Sequence, residues 1–284
     1  MPIDLDAAER FVLANARLLD RHRLAVLLHG APIAPVLATL RAYRNPDGGF
    51  GQALEPDVRA PESEPASTLH ALEVLHEIGA LEDPMIAGAA AWIGSVAGDD
   101  GGVPFVLPTA ARHPHAPWMV PSDGGSFLTF ALAAAVWRTP VRDPWLERAT
   151  EWSWAQLEGP ESPGGYWVKF ALDFLGTVPD PARAAAAIEA LRPALGEDGS
   201  LPVPGGIEDE RITPLTLSPR PGDRHRVLFT EDQIAVDLDA LARGQHEDGG
   251  WMFDHLAWSA GQAVEWRGIV TLRALAILRA HGRA

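Results

Sequence analysis

A chain of 284 residues with a net charge of −15 can bury a large core. It offers neither a phosphate-tracking surface for nucleic acid nor an attraction to anionic membranes. The absence of cysteine removes disulfides, thiolate zinc sites and cysteine nucleophiles.

The first residues, Met1 to Arg10, carry acids and no apolar run, unlike a secretory leader. No window reaches the roughly 18 apolar residues of a membrane span. A cytoplasmic protein without stable membrane insertion is expected. Residues 4–19 read as an amphipathic helix, with Leu5, Phe11, Val12, Leu18 and Leu19 apolar. Pro32 and Pro35 precede a short helix, Val36 to Tyr43. Gly51 to Glu64 is an acidic, proline-rich loop. Helices follow from Pro65 to Ile78 and from Pro84 to Val96, proline being suited to a first turn. Residues 103–122 form a second long loop holding His113, His115 and Trp118. Asp123-Gly124-Gly125 reads as a cap for a helix from Ser126 to Trp137. Asp143 opens a helix to Leu157, and two more run from Trp167 to Leu175 and from Pro181 to Leu195. Residues 201–228 show no periodicity and read as a third long loop. Thr230-Glu231-Asp232-Gln233 is a capping box before Ile234, Leu238 and Leu241. The last helix, Gly261 to Ala280, is apolar on most sides and so buried.

One short pattern recurs between these helices. Asn45-Pro46-Asp47-Gly48-Gly49-Phe50 and His246-Glu247-Asp248-Gly249-Gly250-Trp251 are the clearest copies. Asp100-Gly101-Gly102-Val103, Pro163-Gly164-Gly165-Tyr166 and Asp198-Gly199-Ser200-Leu201 repeat it loosely. A short Asp bonds backbone N–H groups just ahead of it, and glycine allows a positive φ. The large residue that follows, Phe50 or Trp251, is expected to be a buried anchor. About eleven helices, no convincing strand and turns at repeat spacing predict an all-α chain built of helical hairpins. A strongly apolar last helix favours a closed ring over an open solenoid, which needs a polar end. The whole of 1–284 is read as a single α/α toroid domain.

Gln245 to Trp251 resembles the Gln–Trp repeat of squalene-hopene cyclase and related terpenoid cyclases. The other turns are similar to the Asp-Gly-Gly-aromatic turns of protein prenyltransferase β-subunits. The likeness extends from Leu40 to Leu275. It implies the closed α/α toroid and an isoprenoid or other apolar small-molecule ligand in an aromatic-lined central cavity. The toroid also hosts polysaccharide lyases and non-catalytic modules, so a sugar-acting lyase or hydrolase and a non-catalytic binding module stay open. The Asp-x-Asp-Asp motif with which class II cyclases protonate an alkene is missing. Asp237-Leu238-Asp239-Ala240 lacks its last acid. The prenyltransferase zinc site needs a cysteine, and no Asp-rich magnesium cluster is present. No metal and no cofactor is expected.

Chemistry is therefore sought beside the turns. Glu55, Asp57 and Arg59 follow the first one, and His115 sits among prolines with Trp118. If the chain catalyses acid-initiated cyclisation, the acid falls to Glu55 or Asp57, with His115 as partner and Arg59 and Trp118 as ligand contacts. Asp254, Trp258, Trp266 and Arg267 gather charge and indole before the last helix and complete the expected ligand-binding set. Insertions next to the turns should collect on one face. That would bring 51–64 and 103–122 to one mouth with the 258–267 segment.

Overall fold

The computed structural model describes residues 3–159, 164–204, 206–207, 210–253 and 256–284. The chain is all-α: among the described residues it forms twelve α-helices and two strands of two residues each. The helices are α1 (Leu5–Asn15), α2 (Leu18–His29), α3 (Ala34–Leu40), α4 (Pro65–Glu77), α5 (Pro84–Val96) and α6 (Leu128–Trp137). They continue with α7 (Pro144–Leu157), α8 (Gly165–Leu175), α9 (Pro181–Leu191), α10 (Pro214–Leu217), α11 (Glu231–Arg243) and α12 (Ala260–Ala280). Two compact units divide them: Leu37–Ser162 with Phe170–Ala184, and Met1–Val36 with Pro163–Lys169 and Ala185–Ala284.

In the first of these, α4 packs on α5 and α6, and α7 on α5 and α6. Every residue of α6 from Leu128 to Val136 is buried, as expected of a helix with no polar face. Phe50, Phe130, Trp145 and Phe174 are the largest side chains fully enclosed. The first turn follows α3 and a single 3₁₀ turn. Asn45 N–H donates to Gly49 O, Gly48 N–H to Asn45 O, and Gly49 N–H to Asp47 Oδ1 at 3.0 Å. Gly48 has φ +99°, a region closed to most side chains. The second turn, after α5, repeats each bond with Gly98, Gly101, Gly102 and Asp100, and Gly101 has φ +89°.

Both turns dock alike on the helix that comes after the next. A β-carbon on Gly48 would sit 2.6 Å from Gly88 O, and one on Gly49 2.5 Å from the Trp92 ring, both on α5. Gly101 and Gly102 approach Arg148 and Trp152 of α7 in the same manner. Each turn thus meets a helix backbone and, one helical turn further on, an indole face. The residue leaving the turn is tied inward: Phe50 N–H donates to Thr68 Oγ1 of α4, and Val103 N–H to Thr129 Oγ1 of α6. Asp123-Gly124-Gly125 departs from its expected role as a cap. α6 begins at Leu128 with Phe127 at its N-cap and no side-chain cap bond. Gly125 instead packs on Gly102, where a β-carbon would be 2.8 Å from Gly102 Cα.

In the other unit α1 packs on α2 and α12, α2 on α12, and α11 on α10 and α12. The capping box forms as read, with Thr230 and Gln233 bonding each other's backbone N–H groups. Residues 201–228, expected to be irregular, contain a small antiparallel pair, β1 (Leu201–Pro202) with β2 (Arg211–Ile212), followed by α10. Residues 4–19 are not one helix. α1 stops at Asn15, and α2 carries a buried charge cluster: Asp20, fully enclosed, accepts from Arg17 Nε and Arg23 Nη1 at 2.8 Å each. The third and fourth turns have the same bonds as the first two, through Asp198 to Ser200 and Asp248 to Gly250. Of the remaining copy, Pro163 lies outside the described residues, and Gly165 opens α8.

The fourth turn docks on α1. A β-carbon on Gly249 would be 2.2 Å from Ala7 O, and one on Gly250 2.6 Å from the Phe11 ring. Asp4 N–H donates to Gln245 Oε1, and Gln245 Nε2 returns a bond to Asp4 O. Trp251 N–H donates to Thr271 Oγ1 of α12 and its indole N–H to Leu241 O. Phe50 at 0% exposure and Trp251 at 5% are buried anchors, as expected.

Candidate functional site

Leaving the first turn, the chain is forced into a strained course. Gly51 has no room for a side chain, since a β-carbon would lie 2.0 Å from Glu62 O. Gln52 and Ala53 then follow at φ +55° and +59°, a left-handed conformation that costs a non-glycine residue about 1–2 kcal/mol. The Gln52 side chain bonds Asn45 Oδ1 and Pro61 O, which holds the bend in place. Strain of this kind persists where surrounding structure imposes it, commonly at functional loops. The bend presents Glu55, Asp57 and Arg59.

Loops 51–64 and 103–122 pair with each other. Val58 and His115 form an isolated antiparallel bridge, Arg59 N–H donates to Pro114 O, and Ala116 N–H donates to Asp57 O. Asp57 is 7% exposed and its Oδ2 accepts the indole N–H of Trp118 at 3.2 Å. Glu55 Oε2 lies 3.5 Å from Nδ1 of His70, a buried residue of α4. His115 turns its Nδ1 to His113 O at 2.7 Å. That nitrogen therefore carries a proton, and the bond leaves Nε2 unused. His113 Nε2 in turn sits 3.0 Å from Glu62 Oε2. Glu55, Asp57, Arg59, His115 and Trp118 thus lie on two paired loops of one unit, with the Asp57 and Trp118 side chains bonded.

The residue at the end of the first loop escaped the sequence reading. Glu64 is 1% exposed and its two oxygens accept from Leu107 N–H at 3.0 Å and Thr109 Oγ1 at 3.1 Å. Burial pushes its pKa up to about 7 from an ordinary 4.5; the two hydrogen bonds pull the other way and the charge of Glu62 adds to the rise. The sign follows from the raised value. The folded chain keeps a proton that the unfolded chain releases near pH 4.5, so the associated stability is full below that pH and is lost as pH rises through about 7. The Glu64→Gln variant should flatten this dependence, because a carboxamide can accept from Leu107 and donate to Thr109 Oγ1. Urea denaturation should find the variant more stable than wild type at pH 8 by up to about 3 kcal/mol and equal to it near pH 4.5. A constant difference across that range would refute the assignment.

Phe105, two residues from Leu107, meets Phe127 at a tilt of 51° with 5.1 Å between centroids, and Phe127 stacks on Phe170 at 5.7 Å. All three are half-buried. No local pattern marks them, since they come from a loop, a helix entry and α8.

Trp258, Trp266 and Arg267 belong to the other unit. Trp266 stacks parallel to Phe253 at 5.1 Å, and the Trp258 indole N–H is buried without a hydrogen-bond partner. Arg267 is held by the fourth turn. It donates to Asp248 Oδ1 at 2.8 Å and to Trp251 O, and lies 4.4 Å from the Phe11 ring centroid. The Arg267 hydrogen bond holds the Asp248 carboxyl below its usual range. Asp254 lies outside the described residues. Asp237 and Asp239 are likewise in use, by Leu215 N–H and by Arg283. Among the described residues no group of three or more His, Asp or Glu side chains is placed to hold a metal ion, and no helix is long and apolar enough to cross a membrane.

The sequence matches no protein-family model and no curated protein sequence. Its fold does match solved structures. The type II terpene cyclase MstE from Scytonema aligns at a TM-score of 0.52 and 15% identity over 98% of each chain. Two variants of that enzyme in complex with geranylgeranyl dihydroxybenzoate, their substrate, align at TM-scores of 0.53 and 0.54 with 15% and 14% identity. They cover 97% and 98% of this chain and 96% of theirs. At this identity the likeness shows a terpene-cyclase-like helical fold and nothing about the reaction.

Proposed function

We propose that this protein binds an isoprenoid or similar apolar ligand in a closed α/α toroid formed by residues 1–284, and cyclises it by acid initiation. Support for closure comes from the fourth turn, which docks on α1 as the first and second dock on α5 and α7. The observation that carries the reaction is Glu64, a buried carboxyl whose pKa burial raises to about 7, bonded to Leu107 N–H two residues along the chain from Phe105 of the Phe105–Phe127–Phe170 cluster. A proton donor to an alkene needs a carboxylic acid and not a carboxylate. Burial raises the Glu64 pKa despite its two hydrogen bonds, so the proton is assigned to it, while Glu55 and Asp57 pair with His70 and Trp118. Its O–H proton would transfer to a terminal alkene carbon and leave a carboxylate, the next alkene would close the ring on the resulting cation, and loss of a neighbouring proton would leave an isomer of the substrate. The aromatic faces of the stack would stabilise the cation. His115 Nε2 is the assigned acceptor of the departing proton, and Trp118 covers Asp57 at the loop pair.

The test is turnover of linear polyprenoids bearing an aromatic head, followed by mass spectrometry and chromatography, with ligand retention measured in parallel. Glu64→Gln should lose at least about 100-fold in turnover while retaining ligand. Asp57→Asn and Glu55→Gln should fall less. A Glu64→Gln protein with wild-type turnover removes Glu64 from the mechanism, and three unaffected variants remove the site. The partnering of Glu55 and Asp57 favours a second reading, a non-catalytic binding module, which retained ligand with no turnover in the wild type would establish.

A further inference from the structure

A cleft of about 390 Å³ opens among α11, the last turn of α12 and the loop before α11, and none of the candidate residues above lines it. Ile234 and Leu238 form its buried floor, Pro221, Ala235 and Ala280 line it, and Arg226, Glu231 and His281 supply its polar groups. Arg226 is half-buried and donates to Ser218 O and to His281 Nε2. His281 Nδ1 bonds Ile277 O, so its Nε2 is the acceptor and the ring is neutral in this arrangement. Two of the five guanidinium N–H groups are thereby used. Burial holds the Arg226 pKa below its ordinary value, with Asp223 and Glu231 acting in the opposite direction. Yet no ion pair within 4.0 Å joins Arg226 to Glu231 or to any other carboxylate among the described residues. Beside it, the hydroxyl of the fully buried Ser218 has no hydrogen-bond partner.

A cation and an anion thus face one apolar-floored cleft, near enough to influence each other and too far apart to pair. We infer that the cleft binds a small zwitterion with an apolar side chain, of the α-amino-acid class. Its carboxylate meets the Arg226 fork, its ammonium meets Glu231, and its side chain lies on Ile234 and Leu238. A simple anion would leave Glu231 opposed, and a simple cation would be repelled by Arg226. The inference is independent of the cyclase reading, since it uses none of that site's residues.

The experiment is isothermal titration of the full chain with L-leucine, and with 4-methylpentanoate and 3-methylbutylamine, which lack the ammonium and the carboxylate respectively. Leucine should bind, and each half-analogue should bind at least about tenfold more weakly. Glu231→Gln, at an exposed first residue of α11 that leaves the Thr230–Gln233 cap intact, should bring leucine to the level of 4-methylpentanoate. Ala235→Trp should fill the cleft and abolish binding. No leucine binding up to about 10 mM, where even a millimolar site is filled, overturns the inference. So does equal binding of the half-analogues, or indifference of both variants.

Discussion

Asp20→Ala is expected to cost about 3–5 kcal/mol of stability, as other deletions of one partner in a buried ion cluster do. The carboxylate is fully enclosed and accepts from two arginines, Arg23 at 4% and Arg17 at 10% side-chain exposure. Removing it takes away the carboxylate that both guanidinium groups share in a buried region, where losing a charge-assisted bond is costly. The cost belongs to the broken arrangement and not to the intact one. Replacing all three residues by apolar side chains of similar size should therefore recover most of the loss. Urea denaturation of the single and triple variants decides it. A single variant within about 1 kcal/mol of wild type would mean that the two guanidinium groups relax into solvent.

Trp251→Ala should be as damaging, again by about 3–5 kcal/mol. The indole is 5% exposed and its N–H reaches Leu241 O at 2.7 Å. It closes the fourth turn against the end of α11, while its backbone N–H ties that turn to Thr271 in α12. Truncation opens a cavity and removes the indole's hydrogen bond to Leu241 O, leaving that carbonyl its bond from Gly244 N–H. A Trp251→Ala protein with an unchanged melting temperature and impaired ligand retention would recast the residue as a binding contact.

The features legible in the sequence are those written locally. An Asp-Gly-Gly turn is specified by residues that touch each other within the turn, so its bonds, its anchors and the helices on either side could be read directly. The pairing of 51–64 with 103–122 followed from the placement of both loops beside turns. What stayed hidden depends on distant chain. α2 shows no one-sided apolar pattern because Asp20 and Arg23 face inward, the reverse of what periodicity assumes. Thr68, Thr129 and Thr271 look like ordinary helical threonines until a turn 18 to 26 residues away is seen to bond them. Glu64 is one acid among several in its loop, and only the folding of Leu107 and Thr109 over it gives it a raised pKa. Arg267 read as one of a group of charged and indole side chains before the last helix, and its partner in space, the Asp of a turn 19 residues earlier, is not marked by any local pattern.

The seating of the fourth turn on α1 also bears on how the chain is made. The bonds between Asp4 and Gln245 span 241 residues. During synthesis α1 leaves the ribosome without the surface it belongs to. At about 5–20 residues per second it waits on the order of tens of seconds for that surface to emerge. Phe11, destined for the glycine face of the last turn, is exposed throughout that interval. Contacts this distant make folding slow. They place the docking of α1 on the fourth turn after Gln245 has been translated, so until then the nascent chain holds an amphipathic helix awaiting that partner.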